Sequence, residues 1–252
     1  MTRRAPRLRW RLWYGSARGA GLALFLWLAP VGGAAAQTIT AASYAEPTTR
    51  YAHGVLGDAV EWGALVLTLA PCAGCAARQV TLRLPETRVF EDLAPRLMTT
   101  ETGDVLAMVV ESDLGKGARL ALYDTSGVVA ATPFIGRPNR WLAPVGAGDL
   151  DGDGRIELAY VDRPHLAKVL RIWRLEGRRL VPVAEMAGFT NHLIGWDVIP
   201  GGLRDCGGGP ELILADGDWQ TVQAVRLGPD GLRARSIGRY DRPEDLDRAL
   251  RC

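Results

Sequence analysis

Short runs in which apolar and polar residues alternate, divided by Gly- and Pro-rich breaks, recur from Ala64 to near the end of the chain. Val169-Leu-Arg-Ile-Trp-Arg-Leu175 is the clearest. A period of two turns one face of an extended strand to a core and the other to solvent. Such runs come in pairs that predict the second and third strands of successive units. The pairs are Ala64–Leu69 with Gln79–Leu84, Val105–Val110 with Arg119–Tyr123, Glu157–Val161 with Val169–Leu175, and Glu211–Ala215 with Thr221–Leu227. They are rich in Val, Leu, Ile and Thr, as strands are. No helical pattern precedes residue 240, and Asp241-Arg-Pro-Glu-Asp-Leu-Asp-Arg-Ala-Leu-Arg predicts one short helix with Pro243 in its first turn.

The pattern repeats. Leu93-Ala94-Pro95 returns as Leu142-Ala143-Pro144 after 49 positions, and Glu157-Leu158 as Glu211-Leu212 after 54. Gly136-Arg-Pro-Asn139 returns as Gly188-Phe-Thr-Asn191 after 52. Units of roughly 47–92, 93–141, 142–193 and 194–240, with a tail of 241–252, fill one domain over residues 37–252. Four short antiparallel strands per unit, repeated radially, predict an all-β fold, a β-propeller of about four blades.

One break carries readable chemistry. Asp149-Leu-Asp151-Gly-Asp153-Gly-Arg155-Ile-Glu157 puts carboxylates at loop positions 1, 3, 5 and 9, with Gly154 at position 6 for the sharp turn. Hard oxygens on a flexible loop suit Ca²⁺, which takes six to eight of them at about 2.3–2.6 Å, and the Arg155 carbonyl at position 7 is the natural backbone ligand. Without a cation, these charges would repel at short range. An EF-hand needs Glu at position 12, where Tyr160 stands, and flanking helices, where strand-like runs stand.

Gly148-Asp149-Leu-Asp-Gly-Asp-Gly-Arg-Ile-Glu157-Leu158 resembles the FG-GAP/VCBS repeat of integrin-α-type propellers. The resemblance implies one structural Ca²⁺ in the loop between a unit's first and second strands, held by Asp149, Asp151, Asp153, Arg155 and Glu157. The other units are degenerate: the fourth offers Gly202-Leu-Arg-Asp205-Cys-Gly-Gly-Gly-Pro-Glu211, with Arg204 and Cys206 where ligands are expected.

Six arginines and no acid in residues 1–18, an apolar run from Gly19 to Val31, and Ala34-Ala35-Ala36 before Gln37 describe a secretory signal peptide over 1–36. The apolar run is too short to span a bilayer, which takes about 20 residues. Cleavage after Ala36 leaves 216 residues and turns a net charge of +2 into −4. The expected location is the periplasm or the exterior, free of the membrane. An acidic domain with only two lysines lacks the basic patch that nucleic acid requires. Four cysteines in an exported chain should pair. Of three connectivities, Cys72–Cys75 with Cys206–Cys252 is favoured, because Cys72-Ala-Gly-Cys75 is a tight loop pair between two strand-like runs.

The unit junctions Thr49-Arg50, Thr87-Arg88, Asn139-Arg140 and Asn191-His192 would set three arginines and a histidine around a channel mouth. Such a ring suits a carboxylate or phosphate; pairing with Glu46, Glu86, Glu91 and Asp92 is the competing role. Trp141, Trp173, Trp196 and Trp219 are expected as packing residues, and His53 and His165 as surface or packing residues without ligand spacing. No G-x-S-x-G, H-E-x-x-H, G-x-x-x-x-G-K-[ST] or G-x-G-x-x-G occurs. The expected function is therefore a non-catalytic binding or scaffold module for a protein, a peptide or an anionic small molecule. The alternative is a propeller hydrolase of glycans or phosphoesters.

Overall fold

The computed structural model describes residues 37–252, so the expected signal peptide and its cleavage site lie outside the described residues. The first unit holds β1 (Ile39–Thr48), β2 (Glu61–Leu69) and β3 (Arg78–Arg83). The second holds β4 (Arg88–Phe90), β5 (Arg96–Thr99), β6 (Val105–Asp113), β7 (Gly117–Asp124) and β8 (Gly127–Ala131). The third is β9 (Leu142–Gly148), β10 (Glu157–Asp162), β11 (Val169–Glu176) and β12 (Arg179–Ala187). The fourth is β13 (Phe189–Thr190), β14 (Gly202–Asp205), β15 (Pro210–Asp216), β16 (Thr221–Gly228) and β17 (Gly231–Arg239), followed by the helix α1 (Glu244–Ala249).

All pairings between these strands are antiparallel, so the all-β expectation stands. The sheets stack face on face. Along β6, Leu106, Met108 and Val110 join a core shared with Leu142, Leu158 and Tyr160 of the third unit. Their neighbours Ala107 and Val109 join a core shared with Leu65, Leu67 and Leu69 of the first. A third core packs Val161, Leu170 and Ile172 against Leu212, Leu214 and Val225. A strand with a sheet on either side loses its polar alternation, which is why β6, β10 and β15 are buried almost throughout while β3, β12 and β17 are largely exposed.

The sheets do not close into a ring, which corrects the expectation of four separate blades. The first unit has three strands, and β1 lies mostly ahead of the expected unit boundary at residue 47. The short strand β4 pairs with β2 at Trp62↔Phe90 and with β6 at Arg88↔Asp113, so the first two units form one eight-stranded sheet. On the far face of the fourth sheet, α1 seats Leu246 against Ile213, Val222 and Ala224. A closing ring would need that face for the first unit. The two ends of the stack meet through loops instead, where the Gly195 N–H donates to the Val55 carbonyl at 3.0 Å. The approach is close enough that a Cβ on Gly57, at φ +97°, would lie 2.9 Å from the Gly195 oxygen.

Disulfides join Cys72 to Cys75 in the β2–β3 turn and Cys206 to Cys252 across 46 positions. The second ties the β14–β15 loop to the chain end, a closure contributing about 3–4 kcal/mol through the unfolded state. Among the described residues, no helix is long and apolar enough to cross a membrane.

Candidate functional site

The Asp149–Glu157 loop connects β9 to β10 and folds on its own carboxylates. Asp149 accepts from the Gly152 N–H at 2.7 Å and the Gly154 N–H at 2.9 Å. Asp151 accepts from the Asp153 N–H at 3.2 Å, and Asp153 from the Arg155 N–H at 2.9 Å. Gly152 and Gly154 take positive φ of 81° and 85°, which lets the backbone coil round these side chains. Carboxylate oxygens of Asp149, Asp151 and Asp153 all come within 4.8 Å of one another.

Glu157 stands apart from that group. It is wholly buried at the start of β10, and its register partner on β11 is Arg174. One carboxylate oxygen takes the Arg174 Nε at 2.5 Å and the other the Leu150 N–H at 2.9 Å. Burial pushes the Glu157 carboxyl above its ordinary range, while Arg174 and Leu150 pull it back. Arg174 also reaches Asp151 at 2.6 Å and Asp153 at 3.3 Å. The Arg155 side chain turns back onto Asp153, and this hydrogen bond holds the Asp153 carboxyl down at about 2. The trio is therefore anchored at its inner edge by one guanidinium and is solvent-facing elsewhere.

The fourth unit supplies an internal control. Glu211 occupies the place of Glu157, and it accepts from Arg204, Arg226 and Arg235 at 2.7–2.9 Å. Burial alone would raise the Glu211 carboxyl, but the three guanidiniums bring it to about 2. Three cations thus face Glu211, Asp205 accepts from the Gly207 and Gly209 N–H groups, and the Cys206–Cys252 bond closes the loop. The Asp149–Glu157 loop of the third unit has the opposite balance: four carboxylates against Arg155 and Arg174. The deficit of two positive charges is what one divalent cation supplies. No family model and no curated protein matches this chain. The FG-GAP/VCBS resemblance therefore rests on Gly148–Leu158.

The four junction residues do not share one environment. Arg50 donates to the Arg88 carbonyl at 2.9 Å and pairs with Glu86 at 3.4 Å. Arg88 is bound to the buried Glu111 at 3.0 Å. His192 is fully buried. Of the three arginines, Arg140 alone has no carboxylate partner among the described residues; its side chain's hydrogen bond runs to the Asn139 carbonyl at 2.8 Å.

Around Arg140 lies a cleft that the sequence did not announce. It holds about 190 Å³ and is bounded by His53, Arg140, Trp141, His165, Leu166 and Ile194. Residues from all four units meet here, 112 positions separating His53 from His165, so no local spacing could have flagged them. The imidazole of His53 rests on Glu91 at 2.6 Å through Nδ1. Glu91 is buried and also accepts from the Ser112 hydroxyl. Trp141 stacks on His165 and gives its indole N–H to the Glu91 carbonyl at 2.9 Å.

Proposed function

We propose that this chain is an exported repeat domain, related to the FG-GAP/VCBS repeats, that binds one structural Ca²⁺ in its third unit and serves as a non-catalytic binding module. The observation that carries the reading is the convergence of Asp149, Asp151 and Asp153 within 4.8 Å. The local charge balance supports it, with four carboxylates against two guanidiniums at the Asp149–Glu157 loop and three guanidiniums on Glu211 at the matching place of the fourth unit. Asp149, Asp151, Asp153 and the Arg155 carbonyl would hold the ion, and water would fill the remaining positions of a calcium shell. Glu157 keeps Arg174, its cross-strand partner, and anchors the loop from inside. The two disulfides and the signal-peptide pattern fit an oxidising compartment. In this reading the stack is an open array of four repeats, with its ends joined by loops.

The expected result is a rise in thermal stability with Ca²⁺. A native-state ligand at about a hundred times its Kd adds about 2.7 kcal/mol, or roughly 5–10 °C for a domain of this size. Melting residues 37–252 in EDTA and in millimolar Ca²⁺, for the wild type and for Asp151→Ala with Asp153→Ala, measures it. A shift in the wild type that disappears in the double variant supports the site. Equal melting with and without Ca²⁺, for a wild type shown metal-free by elemental analysis, rejects it.

A further inference from the structure

The cleft at Arg140 has a hydrogen-bonding polarity that can be deduced. His192 lies 3.0 Å through Nε2 from the Trp196 carbonyl, which only accepts, so Nε2 carries the proton. Burial lowers the His192 basicity, leaving the ring neutral and its Nδ1 an acceptor. The partner of that Nδ1 is His165 Nε2, at 3.0 Å, which must then be the donor. His165 is itself held neutral, burial and the nearby imidazoles bringing it to about 4. A neutral imidazole has one N–H. The Nδ1 of His165 is therefore a bare lone pair, fixed by a two-imidazole relay that ends on a backbone carbonyl.

Three features then share one small cleft. Arg140 is a cation without a carboxylate among the described residues; Arg163 beside it is matched by Asp162 at 2.9 Å. His165 offers an acceptor that needs an N–H. Leu166 and Ile194 line the rim at 66 % and 70 % exposure, the two most exposed large apolar side chains among the described residues. The volume is about 190 Å³, below the roughly 300 Å³ at which pockets take whole ligands. At about 30 Å³ per water it displaces about six waters, which is room for one amino-acid residue.

We propose that this cleft binds a terminal apolar amino-acid residue: its carboxylate on Arg140, its α N–H on His165 Nδ1, and its side chain against Leu166 and Ile194. Both a peptide C-terminus and a free amino acid present this chemistry. The proposal rests on the binding-module part of the function given above and not on the calcium loop. Guanidinium pairing with the carboxylate supplies charge and directional hydrogen bonds together, and a bound N–H satisfies a nitrogen that would otherwise face solvent.

Calorimetric or NMR titration of residues 37–252 with N-acetyl-leucine tests it, in Ca²⁺ and again in EDTA, with folding monitored in both. Saturable binding is expected. N-acetyl-leucinamide, which lacks the carboxylate, and 4-methylpentanoate, which lacks the N–H, should each bind about tenfold more weakly, the loss expected when a hydrogen bond is removed and its protein partner is left unpaired. Arg140→Gln should weaken N-acetyl-leucine to a similar extent without changing the melting temperature. Tighter binding of Gly-Gly-Leu than of leucine assigns the site to peptide ends, and the reverse assigns it to the free amino acid. No saturation at millimolar ligand, equal affinity for acid and amide, or undiminished binding by Arg140→Gln overturns the proposal. A calcium result of either sign leaves these comparisons readable.

Discussion

Replacing Glu61 with glutamine is expected to stabilise the domain by about 3 kcal/mol at pH 7, and by more at pH 9. Glu61 opens β2 and is buried. Burial, and then the neighbouring carboxylates of Glu91, Asp58 and Asp92, push its carboxyl from 4.5 to about 9. The folded chain thus keeps a proton that the unfolded chain gives up at its ordinary value. Stability from this group is complete below pH 4.5 and is lost as pH rises toward 9, at about 1.4 kcal/mol per unit. Glutamine has the shape of the protonated acid and does not titrate. Denaturant unfolding at several pH values between 5 and 9 should show a falling line for the wild type and a flatter one for Glu61→Gln. Parallel lines would place the burden on another group. At the acid end the histidine relay acts oppositely. The folded value of His165 is lowered from 6.5 to about 4, so its contribution is present above 6.5 and is lost as pH falls toward 4.

Glu111→Ala is expected to cost about 3–5 kcal/mol, the range for removing one partner of a buried ion pair. Glu111 is wholly buried on β6 and accepts from Arg88 at 3.0 Å, Arg119 at 2.7 Å and the Tyr123 hydroxyl at 3.0 Å. Alanine leaves two half-buried guanidiniums and a hydroxyl without their acceptor. An exposed pair such as Arg233 with Asp230 gives the contrast, and Arg233→Ala should change stability by less than about 0.5 kcal/mol. Midpoints of denaturant unfolding at constant slope separate the two. A loss below about 1 kcal/mol for Glu111→Ala would mean that Arg88 and Arg119 recover their bonds from water.

The same cross-strand pairing explains what the sequence could and could not reveal. The second and third strands were legible to within three residues, from Val169–Leu175 against the observed Val169–Glu176 to Val105–Val110 against Val105–Asp113, because apolar runs bounded by glycine and proline are local signals. The strand β1 was not. Its sequence, ITAASYAEPT, is small and polar, and it is extended because β2 offers a complete ladder beside it. The strands β4 and β13, of three and two residues, exist only through their partners. In the Asp149–Glu157 loop the convergence of the three aspartates was readable from spacing, since a short loop has little choice in where it puts them. The commitment of Glu157 to Arg174 was hidden, because register brings together residues 17 positions apart. The cleft was hidden more deeply. Of the three junction arginines, only Arg140 is left without a carboxylate partner among the described residues.

The three residues of β4 also decide how the molecule comes apart. Because β4 is bonded to β2 on one edge and to β6 on the other, the first two units share a single ladder, whereas the third and fourth have ladders of their own. Cooperative opening follows hydrogen-bonded continuity and shared cores. The amino-terminal half of the domain is therefore one foldon of eight strands, and amides of β2 and β6 should exchange with a common opening free energy. The third and fourth sheets, joined to it by side-chain packing and by loop contacts such as that of Gly195 with Val55, are expected to open as smaller units.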